Sequence, residues 1–453
     1  MTSRHQHRHL AALLEECRER TLALVAPLSS DDLRRQHDRL MSPILWDIGH
    51  IGNFEDLWGV RTFAGSEADV EGLDPMYDPM INPRSVRDTL PLPALEEMRG
   101  YLGSVRARLL ERLDGADLEN GSPLLRDGYL YQMLLQHEYQ HDETILATLQ
   151  LKTGEPYRPT KRRTLPAGDA SVGGFVAIPA GEYFIGTDDR SVAYDNERPR
   201  HRVALGAFEI GVAPVSNGEF MEFVEAGGYR MRELWTDEGW SFITEHEIIA
   251  PKHWERDDDG HWRTRSMDIV ENVNPRRPVV HVSWHEAEAY CRWADVRLPS
   301  EIEWEVAASW DPSSALPRTY PWGEDAPNPW GADASAPPRA NVDQLGFMAA
   351  EIGAYPDGVS AVGCHQMIGD VWEWTSSDFM GYPGFEAFPY DEYSKVFFGS
   401  DYKVLRGGSW ATRPGAIRTT FRNWDYPIRR QIFSGFRVAR DTASLRRDSG
   451  GMR

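Results

Sequence analysis

The chain changes character once, across TGEPYRPTKRRTLPAGDASVGG between Thr153 and Gly174. A stretch so rich in proline, glycine and charge reads as an interdomain linker. Ahead of it, apolar residues recur at three- and four-residue spacing in LAALLEECRERTLALV, LPALEEMRGYLGSVRARLLERL and YLYQMLLQHEYQHDETILATLQL, the pattern of amphipathic helices. Beyond it, FVAIPA, VALGAFEIGV and RPVVHVSW read as strands among Gly-, Pro-, Asn- and Asp-rich turns, with two helices, near Ser216–Glu225 and Trp284–Ala294. At 453 residues the chain is too long for one ordinary core. The expectation is a helical bundle over residues 8–160 and an irregular α+β domain over 170–442. Ser29 or Ser30, before Asp31 and Asp32, is expected to start a helix, and no fixed-period repeat is visible. The polar N-terminal MTSRHQHRHL, with His5, His7 and His9, and the C-terminal SLRRDSGGMR are expected to be disordered.

Composition removes several function classes. Lys plus Arg total 49 against 70 Asp plus Glu, a formal charge of −21, which argues against general nucleic-acid or anionic-membrane binding. No apolar run approaches the roughly 20 residues of a membrane span, and the N-terminus lacks a signal-peptide core, so a cytosolic protein is expected. Three widely separated cysteines, Cys17, Cys291 and Cys364, fit a reducing compartment and leave no thiolate cluster. Any metal must therefore be held by nitrogen and oxygen.

His137 and His141 lie four residues apart in a helical pattern, which puts both imidazoles on one face, one turn apart. The five residues from His137 to His141 also spell the H-E-x-x-H zinc-protease pattern. The usual third ligands of that pattern are missing, since DETILATLQLKTGEP follows and Glu155 sits in the linker turn. His50, in the apolar helix SPILWDIGHIGNFEDLW, is a better third ligand, because bundle cores commonly build metal sites from facing helices. Three imidazoles suit iron(II), zinc, copper or manganese, so ligand type alone does not choose the metal.

These segments also carry a family resemblance. LMSPILWDIGHIGNFEDLW and QHEYQHDET resemble the DinB-like four-helix bundle of the sulfoxide synthases of ergothioneine biosynthesis. HVSWHEAEAYCRWADVRLPSEIEWEVAA, GDVWEWTSS, VLRGGSW and SGFRVAR resemble the formylglycine-generating-enzyme-like, C-type-lectin-related α+β fold. After RGGSW comes Ala411-Thr412-Arg413-Pro414 with no cysteine pair nearby, so the second domain is expected to be a borrowed scaffold without thiol chemistry.

The resemblance implies an iron(II) enzyme that uses O₂ to join γ-glutamylcysteine to the imidazole of hercynine, Nα-trimethylhistidine. It implies His50, His137 and His141 as the iron ligands, Gln140 on the hercynine side, Tyr390 as active-site acid and Tyr393 as a substrate-binding residue. Tyr393 and Trp424 offer aromatic faces for a quaternary ammonium, which can be neither neutralised nor hydrogen-bonded. Arg84, Arg87, Asp425 and Arg429 match the positions that hold the two carboxylates and the ammonium of the thiol. The active site is expected between the two domains, in a monomer or weak oligomer acting on small molecules. The rivals are a selenoneine synthase using a selenosugar, which has less use for these charges, an ovothiol-type synthase, an H-E-x-x-H zinc metalloprotease and a non-catalytic metal-binding module.

Overall fold

The computed structural model describes residues 3–62, 72–324 and 338–442, so the C-terminal SLRRDSGGMR lies outside the described residues. The chain divides into two compact units: the residues up to Pro159 with Asp189–Val192, and Thr160–Asp188 with the chain from Ala193 onward.

The first unit is built on four long helices, α1 (Ser3–Val25), α2 (Ile44–Glu55), α3 (Leu95–Asp114) and α4 (Tyr129–Leu151). Helix α2 packs against α3 and α4, and α1 against α4. Leu14, Leu102, Val105, Leu109, Ile145 and Leu149 are buried in this unit. Ser29 caps a short helix, Ser30–Arg34, through a reciprocal bond with Asp32, as expected. The N-terminal tail is a correction: it is helical from Ser3, and the His7 ring nitrogen Nε2 lies 2.9 Å from the Ala116 carbonyl oxygen.

Polar residues lock the same core. Arg18 and Arg106 each bridge Glu55 of α2 and Glu138 of α4, with Arg18 Nε to Glu138 Oε1 at 2.8 Å and Arg106 Nε to Glu55 Oε1 at 2.7 Å. Helix α2 runs on into a π-helical turn, Asp56–Arg61. Gly49 is required by close approach, because a Cβ there would lie 2.1 Å from the Tyr77 ring.

The second unit is irregular α+β. A four-stranded sheet has the order Asn423–Asp425, Gly399–Arg406, Trp372–Phe379, Ser434–Phe436, with only the last pair parallel. A three-stranded sheet joins Phe175–Ile178, Phe208–Gly211 and Ala439–Asp441. Buried pairs such as Arg437–Glu373 and Arg422–Glu301 hold the short elements.

Two expectations fail here for identifiable reasons. Besides Asn217–Glu225 and Trp284–Trp293, this unit contains the helices Asp237–Glu245 and Glu301–Ser309. The last is buried on nearly every face, glutamates included, because Arg297, Arg406 and Arg422 neutralise them. It therefore shows no amphipathic stripe. RPVVHVSW is not a strand either: Pro278 makes one isolated bridge to Ser216, and His281 at φ 63° breaks the extended run.

Candidate functional site

In the helical unit, His50, His137 and His141 converge, each offering a nitrogen within 4.8 Å of the others. One turn separates His137 from His141 on α4, and α2 brings in His50. The orientation of each ring has a visible cause. His50 Nδ1 is 2.7 Å from the Tyr77 carbonyl oxygen and donates to it, which leaves Nε2 as the ligand atom. Asp47 Oδ1, 3.1 Å from His141 Nδ1, does the same for His141. His137 is stacked on Phe54, with centroids 3.8 Å apart, and its Nε2 lies 3.2 Å from that of His50.

This donor set fits a divalent metal. Two nitrogens each about 2.1 Å from one ion stand roughly 3.0–3.4 Å apart for octahedral to tetrahedral angles. Burial first, and the neighbouring imidazoles second, push His50 and His137 well below the ordinary histidine range, and the Arg87 charge adds to this at His50. Both therefore remain neutral with lone pairs available.

The wall beside His50 is also ordered. Trp46 stacks on His50 at 4.8 Å with an interplanar angle of 10°, and the Arg87 guanidinium carbon sits 3.4 Å from the Trp46 centroid. Arg87 is buried, and burial lowers it to about 10. Its Nε donates to the Asn82 carbonyl at 2.8 Å and its Nη1 to Ser42 Oγ at 2.7 Å, both neutral acceptors. Among the described residues no carboxylate forms an ion pair with it. Arg84 is exposed three positions earlier, and Gln140 is half-buried between the two α4 histidines.

Glu138 closes the protease reading. Both its oxygens are bound by Arg18 and Arg106, and Oε1 also accepts from Thr21 at 2.7 Å, so it is not a general base.

In the second unit, Tyr390, Tyr393 and Trp424 form a chain of edge-to-face contacts, with centroids 6.3 Å and 5.8 Å apart. Tyr194 stacks on Tyr393 at 4.2 Å, and Phe379 on Trp424 at 4.1 Å. Arg429 Nε lies 3.4 Å from Asp425 Oδ2. The loop carrying the tyrosines is pinned by buried Asp195, which accepts from the Phe388 N–H at 3.1 Å and from Ser394 Oγ. The structure thus brings together His50, His137, His141 and Arg87 in one unit, and Tyr390, Tyr393, Trp424, Asp425 and Arg429 in the other.

Comparison with known proteins agrees with this division. Residues 161–442 match the Sulfatase-modifying factor enzyme 1-like domain family, and residues 13–145 match the DinB superfamily. Over 443 residues the chain is 44% identical to "Hercynine oxygenase" of Mycolicibacterium thermoresistibile, covering 95% of this chain and 94% of that protein. Against "Hercynine oxygenase" of Mycobacterium tuberculosis it is 43% identical over 449 residues, covering 97% and 100%. The chain belongs to the hercynine oxygenase family. It is therefore an enzyme, an oxygen-dependent oxidoreductase. The "Formylglycine-generating enzyme" of Bos taurus is 33% identical over 242 residues, 49% of this chain and 59% of that protein, in keeping with a shared scaffold for half of a hercynine oxygenase family member.

Several residues that order the site were missed in the sequence. Trp46 and Asp47 stand four and three positions before His50, a helical spacing that places them on its face, and that signal was available. Tyr77, which offers only its carbonyl, and Asp195, nearly two hundred residues from Ser394, leave no local signature.

Proposed function

We propose that this enzyme joins the sulfur of γ-glutamylcysteine to the imidazole carbon of hercynine with O₂, as a sulfoxide synthase of ergothioneine biosynthesis. The observation that supports this best is the three-histidine centre beside a buried arginine without a carboxylate partner among the described residues. His50, His137 and His141 would hold iron(II), which when bound supplies the activation of O₂ and the binding of the thiolate. One C–H and one S–H bond are broken, and one C–S bond forms. One oxygen atom ends on sulfur and the other leaves as water, so O₂ takes up all four electrons.

The remaining roles belong to the chain. Arg84 and Arg87 receive a carboxylate of the thiol substrate, while Arg429 takes another and Asp425 takes the ammonium. Gln140 contacts the hercynine side, and Tyr393 and Trp424 offer π faces to its quaternary ammonium, each worth about 0.5–2 kcal/mol. Tyr390 delivers a proton to the departing oxygen. We assign the metal, Arg84, Arg87 and Gln140 to a domain over 8–160 and Tyr390, Tyr393, Trp424, Asp425 and Arg429 to one over 170–442, in a cytosolic protein. Among the described residues, no helix is long and apolar enough to cross a membrane.

The test is to give Fe(II)-loaded protein hercynine, γ-glutamylcysteine and O₂. The expected product mass is that of both substrates together plus one oxygen and minus the two hydrogens lost from the C–H and S–H bonds. Turnover with a selenosugar and none with the thiol would reassign the second substrate.

A further inference from the structure

We infer that metal binding at the three histidines and anion binding at Arg87 are coupled through Trp46, each strengthening the other. This rests on the reading of Arg87 as a carboxylate receptor. The geometry gives the cause. One indole ring carries both partners, with the Arg87 guanidinium carbon 3.4 Å from its centroid and the His50 imidazole stacked on it at 4.8 Å. A cation and the seat of a second cation therefore lie two ring contacts apart.

Like charges so placed repel. Arg87 is 6% exposed, so neither water nor salt screens it well. Its hydrogen bonds go to the Asn82 carbonyl and the Ser42 hydroxyl, which orient the guanidinium without neutralising it. The carboxylate whose field reaches Arg87, Asp47, is already bonded to His141. Without substrate, Arg87 thus opposes a dication at His50, and a substrate carboxylate would remove that opposition. Linkage requires the reverse effect to be equal, so the metal tightens anion binding by the same factor. The protein would hold its metal most firmly when the acidic substrate is present.

The test uses full-length protein, Co(II) as a redox-stable metal, and γ-glutamylalanine, which has the carboxylates of the thiol substrate but no sulfur to bind metal. Competition with a chelator gives the Co(II) Kd with and without the dipeptide, and titration gives the dipeptide Kd with and without Co(II). In wild-type protein each ligand is expected to tighten the other roughly tenfold. Arg87→Met is expected to bind Co(II) more tightly than wild type in the absence of dipeptide and to lose the linkage, whereas Arg87→Lys, which keeps the charge, is expected to keep the weaker Co(II) affinity of wild type in the absence of dipeptide. Should Met pack badly, Arg87→Gln removes the charge while keeping a donor for Ser42. A purely structural Arg87 predicts the opposite sign, a weakened metal site in the neutral variants. The coupling alone is overturned if the dipeptide binds wild-type protein without changing the Co(II) Kd, or if neither neutral variant binds Co(II) more tightly. If the dipeptide fails to bind wild-type protein at all, the receptor reading falls and the coupling falls with it.

Discussion

Both units bury arginine–glutamate pairs, but for different tasks. In the helical unit, Arg18 and Arg106 fasten Glu55 to Glu138, and so fasten α2 to α4, the helices that carry the three histidines. Long helices are stiff, so a few contacts suffice to fix three nitrogens. In the second unit, Arg437–Glu373, Arg406–Glu305, Arg422–Glu301 and Arg418–Glu197 staple short strands and loops that lack such stiffness. A metal centre can thus rest on regular secondary structure, whereas side chains such as Tyr390 and Tyr393 sit on a loop that needs pins such as Asp195.

The sharpest way to break this comparison is to remove a metal ligand. His137→Ala is expected to weaken metal binding by more than about 100-fold, read by chelator competition, while Asp195→Ala leaves it unchanged. Equal losses in both variants would end the division of tasks. Tyr390→Phe is expected to lower the ratio of carbon–sulfur product to oxidised thiol by about 10²–10⁴, with metal affinity intact, as read by mass spectrometry. An unchanged ratio removes its acid role.

Stability separates the units further. Arg106→Met leaves Glu55 and Glu138 buried with one counter-charge fewer, and is expected to cost about 3–5 kcal/mol in denaturant unfolding. A cost under about 1 kcal/mol would mean that the network tolerates a missing member.

Two buried carboxylates, one in each unit, are also expected to answer pH with opposite signs. Although burial opposes it, Arg18 and Arg106 hold Glu138 below the usual carboxylate range, so its contribution is present above about pH 4.5 and is lost as pH falls further. Burial pushes Asp370 of the second unit up to about 6 from 3.8, against the bonds it accepts from Gln366, Asn341 and the Ala350 N–H. Its contribution is full below 3.8 and is lost as pH rises through about 6, by roughly 3 kcal/mol. Unfolding midpoints across this range, compared with those of Glu138→Gln and Asp370→Asn, check both signs.

The smallest effect is expected at Gly49→Ala, where the new Cβ must push Tyr77 aside, at about 1–3 kcal/mol. Because Tyr77 orients His50, metal affinity should fall with stability. Loss of stability without loss of metal affinity would detach Tyr77 from the site.

The sequence alone determined the helical first half, the change of character after Lys152 and the pairing of His137 with His141, since these follow from local periodicity and one-turn spacing. His50 was legible as an imidazole out of place in an apolar helix, although spacing could not assign its partners. Tertiary structure alone decided that its Nδ1 bonds to the Tyr77 carbonyl, that Glu138 belongs to Arg18 and Arg106, and that Arg87 lies over Trp46. It also decided that Glu301–Ser309 is a helix, whose glutamates could be buried only once distant arginines had met them. Periodicity is a property of neighbours along the chain. A buried charge is stable only with partners supplied by the fold, and those partners stand up to more than a hundred residues away.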